Sequence, residues 1–200
     1  PQSYYFFLYD ANFWLILLGY NVKADESALN LADLIKKPEL RQLGSVMHST
    51  PVLLTQEGKI LYSNGQLTTT SRKDYLMYGS TQGLLHIVDS NTGKEVFSFV
   101  PNEMMEKQRN AFLEENSTTG GKAQLFYGID APWTAHTQYV TKKDGTLTVN
   151  DSERKLTEED DSLNLKGMQW VYGGLRMGGR SYYALDLSDI AKPSFKFQID

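Results

Sequence analysis

Three groups of residues in this chain have side-chain types that could do chemistry. The first is Gly174-Leu175-Arg176-Met177-Gly178-Gly179-Arg180-Ser181, which has the outline of a phosphate-binding loop with Arg180 in the lysine position. Such a loop works because its amides converge on phosphate and a helix begins immediately after it. Here Tyr182 to Leu187 follows, rich in aromatic and apolar residues and with no cap signal, and it is expected to be a strand. The glycines are therefore expected to make a tight turn between strands.

The second group is the histidines, His48, His86 and His136. No two are spaced as H-x-H or H-x-x-x-H, so no zinc site is indicated. His86 lies in an apolar run, where a hydrogen-bonded core imidazole is expected. In His48-Ser49-Thr50-Pro51 the adjacent side chains point to opposite faces of an extended segment and cannot act on each other. The third group is acidic. Glu158, Glu159, Asp160 and Asp161 crowd together, but the calcium-loop pattern is missing and no glycine wraps the chain around an ion. A solvated charge run is expected there, and Asp130, before Ala131-Pro132-Trp133, is expected to cap a turn. No residue is assigned as catalytic, cofactor-binding or metal-ligating. The chain has no cysteine, which excludes disulfides, thiolate metal sites and cysteine nucleophiles within it.

The elements that must position these residues are strands. Between Tyr75 and Val100, Leu76 to Tyr78, Leu84 to Val88 and Val96 to Phe99 are β-prone runs separated by glycine turns, the second being Asp89-Ser90-Asn91-Thr92-Gly93. Gly79 and Gly179 are expected to sit at turns that need positive φ, so that valine at either would impair folding. A small meander cannot hold itself together alone and must stack on others, as a β-propeller blade does. A second copy follows: Gln169 to Gly174, Tyr182 to Leu187, and Phe195 to Ile199. Tyr172 answers to Tyr78, Asp186 to Asp89, and Phe195-x-Phe197 to Phe97-x-Phe99. The copies stand at about twice the usual propeller repeat of roughly 40–50 residues, so a diverged blade or a large insertion separates them.

Two hundred residues suffice for one domain with a real core, and twelve tyrosines favour a β-rich one. The net charge of −4 comes with no basic patch, which argues against nucleic acid as a partner. The chain starts at Pro1 and stops at Asp200, where a strand finishes, and is expected to be a piece of a larger protein. Phe13 to Tyr20 is apolar but far shorter than the roughly 20 residues of a membrane span, and a buried helix turn or strand is expected.

Elsewhere, Ser27 to Lys36 is expected to be a helix ended by Pro38. Val52 to Thr55 and Lys59 to Tyr62 are expected to form a hairpin across Gln56-Glu57-Gly58, with a second turn at Asn64-Gly65. Asn102 is expected to cap a helix running to Glu115. Ser117 to Gly121 should be a loop, and Leu125 to Ile129 and Thr137 to Thr141 strands. Lys143-Asp144-Gly145 should turn into a strand from Thr146 to Val149. Asn150 to Ser162 is strongly polar and is expected to be a solvated surface insertion.

Four ordered segments carry a family resemblance. Leu43-Gly44, His48-Ser49-Thr50-Pro51-Val52 resembles the opening L-G-x-x-x-H-S-[ST]-P-V segment of the PilC/PilY family of type IV pilus biogenesis factors and tip adhesins. The run from Tyr78-Gly79 through Gly83, Leu85-His86, Asp89, Thr92-Gly93, Glu95, Phe97 and Phe99 to Pro101 is similar to that family's next segment. Tyr127-Gly128-Ile129-Asp130 resembles its Y-x-V-D step. Gly173-Gly174, Gly178-Gly179 and Ala184-Leu185-Asp186 resemble its G-G-x-x-x-G-G-R-G-x-x-A-L-D signature. Together the matches span about Leu40 to Asp186.

The resemblance implies a mainly β fold: a partial, quinoprotein-like β-propeller of antiparallel blades over residues 43–200, with a helical insertion near 102–115 and a polar one at 150–162. Residues 1–42 would be a lead-in of short helices or strands. It implies an exported, non-enzymatic protein of the bacterial outer membrane, cell surface and pilus tip. That protein would prime pilus assembly, control extension and retraction, and support twitching motility and adhesion. Its partners would be minor pilins of the tip complex and a host or abiotic surface. Some members bind calcium through an acidic loop in this domain. That loop is not found here, so no cofactor is expected in this piece, and any calcium site would fall beyond Asp200. Two alternatives remain. The repeat also resembles that of quinone (PQQ)-dependent dehydrogenases, and a propeller can serve as a generic protein-binding scaffold.

Overall fold

The computed structural model describes residues 11–23, 26, 30–40, 43–113, 126–150 and 166–200. Their architecture is two open antiparallel sheets with a few short helices. β1 (Val52–Ser63), β2 (Gln66–Gly79), β3 (Leu85–Asp89) and β4 (Glu95–Phe99) follow one another as a meander. β5 (Thr134–Gln138), β8 (Met168–Gly174), β9 (Tyr182–Asp186) and β10 (Ser194–Ile199) form the second sheet. Between β5 and β8 the chain crosses to the first sheet and adds β6 (Val140–Thr141) and β7 (Thr146–Thr148) beside β1. The strand orders are β4-β3-β2-β1-β7-β6 and β10-β9-β8-β5.

The strands expected in both copies are present. The interval between them holds the helices Asn102–Lys107 and Asn110–Leu113, β5 and the β6–β7 hairpin. Among the described residues it holds no third sheet, so the wide spacing reflects insertion. The residue matching needs one correction. Tyr78 and Tyr172 are both half-buried and pair with His86 and Ala184. Asp89, however, pairs with Tyr75 and Asp186 with Trp170, so the aspartates lie one register step apart relative to the tyrosines. A one-residue step reverses the face a strand residue points to. A bulge between Phe195 and Phe197 likewise moves Phe197 out of line.

Alternation along the strands explains why the sheets meet. Leu54, Met77, Leu85 and Ile87 point inward from the first sheet, and Val171, Tyr183 and Leu185 from the second, into one core. Phe99 fits between the layers, with ring centroids 5.7 Å from Tyr183 and 6.4 Å from Trp133 and Phe195. Phe13, in a helical stretch at residues 11–17, packs on Phe112 at 5.8 Å and joins the same core. Phe13 to Tyr20 thus contributes a buried helical turn, and among the described residues no helix is long and apolar enough to cross a membrane.

Several local expectations are corrected. Gln56-Glu57-Gly58 is no turn: β1 runs straight through it, with compensating bulges around Glu57. The reason is burial. The Gln56 amide donates to Leu187 O at 2.8 Å and to the Gln169 side chain, tying the sheets together. Asn64-Gly65 is the turn, with positive φ at both residues (53° and 78°). Thr137 to Thr141 divides between β5 and β6, with Tyr139 between them donating its hydroxyl to Thr55 O at 2.8 Å. Residues 126–129 form no strand, because they are wedged against the end of β2. The helix from Asn102 is broken at Gln108 and Arg109, and Pro101 holds the N-cap position, so the Asn102 side chain bonds Glu106 instead. Of the helix expected from Ser27, residues Leu31–Leu34 are helical. Ser117 to Gly121 and the insertion after Asn150 lie outside the described residues.

Gly79 and Gly179 need their lack of a side chain for a different reason than positive φ. Gly179 is extended (φ 175°), and Gly79 is not among the positive-φ residues. A methyl group on Gly79 would lie 2.3 Å from Ile129 O, and one on Gly179 2.5 Å from the Leu175 side chain. Close approach, not turn geometry, requires glycine at both.

Candidate functional site

The four segments that carry the resemblance meet at one corner, where β2 ends. Thr81 N–H donates to Ser45 O at 2.9 Å, and Ser45 N–H returns a bond to the Thr81 hydroxyl at 3.0 Å. Gly79 N–H donates to the Ser49 hydroxyl at 2.7 Å. Ile129 N–H donates to Ser80 O at 3.0 Å. Gln108 clips two glycines together, donating to Gly178 O at 2.9 Å and accepting from Gly128 N–H at 3.0 Å. Backbone approaches backbone so closely here that a methyl at Gly178 would lie 1.7 Å from Gly128 O.

At this corner lies Asp130. It caps no turn: its side chain is wholly buried and bridges His48 and the Arg176 guanidinium. His48 Nδ1–H donates to Oδ1 at 2.8 Å and Arg176 Nη1–H to Oδ2 at 3.1 Å, while both donors' side chains are half exposed. A buried carboxylate needs such partners, since charge without compensation costs several kcal/mol. His48 and Ser49 do point to opposite sides, His48 to Asp130 and Ser49 to Gly79. Arg176 opens the short 3-10 turn Arg176–Gly178 with a left-handed backbone, φ 51°.

The glycine segment after β8 is a tight turn leading into β9, as expected. Its amides do converge on an anion, which is the chain's own Glu103. Arg180 N–H and Ser181 N–H donate to Glu103 Oε2 at 3.3 and 3.2 Å, and Lys107 adds an ammonium. Burial pushes the Glu103 carboxyl up, but Lys107, Ser181 and the Arg180 amide outweigh it and hold it at about 2.

His86 is a core imidazole, as expected. Its Nδ1–H donates to Glu95 Oε2 at 2.7 Å, its Nε2 lies 3.1 Å from the Ser80 hydroxyl, and its ring stacks on Tyr78 at 5.3 Å. The His86 hydrogen bond, opposed by burial and aided by Ser98, lowers the Glu95 carboxyl. Ser80-His86-Glu95 has the order of a nucleophile, base and acid. Yet Ser80 is only 1% exposed. The cleft of about 140 Å³ beside His86 and Glu95 is not lined by Ser80. The line therefore holds β3 to β4 and offers no reachable nucleophile. His136 is exposed on β5 opposite Trp170. Among the described residues no three His, Asp or Glu side chains gather where a metal ion could be held.

Sequence reasoning missed the roles of Glu103, Arg176 and the Ser80-His86-Glu95 line. The last was within reach, because His86 and Glu95 flank one hairpin turn.

No protein-family model matches the chain. It is 28% identical over 158 residues to a type IV pilus biogenesis factor PilY1 homolog of Xylella fastidiosa, a match covering 74% of this chain and 11% of that protein. Among solved structures it is similar to the PilY1 C-terminal domain of Pseudomonas aeruginosa, with 22% identity and a TM-score of 0.35, covering 64% of this chain and 18% of the other. The chain thus spans about 11% of the length of the curated relative it matches. The resemblance to the PilC/PilY family that its motifs carry is borne out by this similarity to a PilY1 homolog.

Proposed function

We propose that this chain is part of a type IV pilus biogenesis factor, a non-enzymatic protein of the cell surface and pilus. The observation that carries the reading is the 28% identity over 158 residues to the PilY1 homolog. The convergence of the four motif segments on the Asp130 corner supports it, because it gives those residues a common structural task. The two sheets would be neighbouring blades of a propeller. The first contains the four-stranded antiparallel meander β1 to β4, the second the three-stranded meander β8 to β10 with β5 added beside β8, and both sheets contribute to a shared core, as neighbouring blades do. Minor pilins of the tip complex would be its partners. Adhesion to a host or abiotic surface, twitching motility and control of extension and retraction would follow from that position.

The test is deletion of the full-length gene in its own bacterium, with surface pili counted by electron microscopy and twitching zones measured. Few or no pili, restored by the wild-type gene, is the expected result. Normal piliation and twitching in the deletion strain would overturn the proposal.

A further inference from the structure

The two sheets repeat one ladder. In the first, Tyr75 pairs with Asp89, Met77 with Ile87 and then Phe97, and Gly79 with Leu85 and then Phe99. In the second, Trp170 pairs with Asp186, Tyr172 with Ala184 and then Phe197, and Gly174 with Tyr182 and then Ile199. The rungs match one for one, so Met77, Leu85 and Phe99 correspond to Tyr172, Tyr182 and Ile199. Corresponding residues lie on the same face of their sheet, because side chains alternate along a strand. The fates of those faces differ. Met77, Leu85 and Ile87 are wholly buried in the core shared with the second sheet, whereas Tyr182, Ile199 and Phe197 are 62%, 59% and 41% exposed. The second sheet enters that core with its other face, through Val171, Tyr183 and Leu185. The sheets therefore meet head to tail, one face of the first on the opposite face of the second. A contact of that kind repeats until it closes on itself, and an incomplete set leaves a complementary face open.

We propose that the face carrying Tyr172, Tyr182, Phe197 and Ile199 is a docking surface for a third antiparallel sheet, supplied within the longer protein of which this chain is part. The incoming face would match the one that Val171, Tyr183 and Leu185 present to the first sheet, apolar and free of charge. The Tyr172 and Phe197 rings already stand 6.4 Å apart. Beside them Lys196 lies over the Trp170 ring at 4.5 Å, with its ammonium 3.8 Å from Asp186, so these two charges compensate each other at the border of the surface. A second copy of the chain does not fit the seat. The face of its first sheet that would have to enter carries Tyr78, His86 and Ser98. Ile16, Leu17 and Leu40 already lie across that face, lining the cleft beside His86 and Ser98, and His86 is 2% exposed. The matching face of its second sheet is consumed in its own core. The occupant rests on the reading that the chain is part of a longer protein, since its match covers 11% of the PilY1 homolog. The uncovered face itself does not rest on that reading.

The chain has no cysteine, so single cysteines report on the face. Tyr182→Cys and Ile199→Cys, with Lys143→Cys at the exposed β6–β7 turn as control, are placed in the 200-residue chain and in the purified full-length protein. Maleimide labelling at each site is followed by peptide mass spectrometry, and sedimentation gives the oligomeric state. In the chain alone all three sites should react at similar rates. In the monomeric full-length protein Tyr182→Cys and Ile199→Cys should slow by about tenfold or more relative to Lys143→Cys, as expected where reaction needs local opening. Should Tyr182→Cys unfold, Ile199→Cys on the edge strand tests the same face. These rates do not depend on a role in pilus assembly, so the two readings fail separately. Equal labelling of the three sites in the full-length monomer, protection that appears in the 200-residue chain as it self-associates, or protection of the full-length protein that is lost on dilution to the monomer would overturn the proposal.

Discussion

Replacing Glu103 by glutamine tests whether the glycine turn before β9 is held by an internal anion. The carboxylate lies in the first turn of the helix Asn102–Lys107, is 6% exposed, and accepts from Arg180 and Ser181 N–H at 3.3 and 3.2 Å. Folding lowers its carboxyl from 4.5 to about 2, and a drop of this size has a ceiling of about 3 kcal/mol in stability. Lys107 is 60% exposed, so solvent screens part of its contribution, and about 2 kcal/mol is the realistic figure. The sign follows from the depressed folded value. The contribution is complete above the unfolded value near 4.5 and is lost as pH falls through about 2. Urea unfolding, followed by tryptophan fluorescence, should show Glu103→Gln destabilised by about 2 kcal/mol at pH 7 and by roughly half of that near pH 3. A difference that stayed constant with pH, or vanished at neutral pH, would refute the reasoning.

Three further outcomes are expected. Gly178→Ala should fail to fold or lose more than about 3 kcal/mol, whereas Gly93→Ala, at φ 69° with open space around it, should lose only about 1 kcal/mol; thermal melts compare the two. Asp130→Asn should lower stability by about 2–4 kcal/mol in urea titrations, because it removes the charge that His48 and Arg176 share. Tyr62→Ser and Leu67→Ser, on side chains 74% and 72% exposed at the tip of the β1–β2 ribbon, should each shift stability by less than about 0.5 kcal/mol while lowering light scattering at high concentration.

The strands were legible where alternation and turn chemistry agreed. Asp89 Oδ1 accepts from Asn91 and Thr92 N–H at 2.9 and 2.8 Å, the Asx geometry that Asp-Ser-Asn-Thr-Gly announces. At Gln56-Glu57-Gly58 the same turn-forming composition misled, because a partner 113 positions away, Gln169, makes a buried strand residue of Gln56. Local pattern does not encode such a distant contact. The Asp130 corner was legible as motifs but not as an arrangement. His48 and Asp130 stand 82 positions apart and Asp130 and Arg176 46, so only the folded chain brings them together. Arg180 drew notice for its place in a glycine pattern, yet it contributes a backbone amide, and Arg176 supplies the guanidinium that meets Asp130.

The crossing at Tyr139 has a consequence for how the molecule comes apart. With β5 in one layer and β6 in the other, no cut through this region leaves either layer with all of its own strands. The layers are joined there covalently, by the Tyr139 and Gln56 hydrogen bonds and by their shared core, so loss of one strips the other of its packing partners. Calorimetry should accordingly record one heat-absorption peak, and amides of Ile87 in one layer and Leu185 in the other should become exchangeable together.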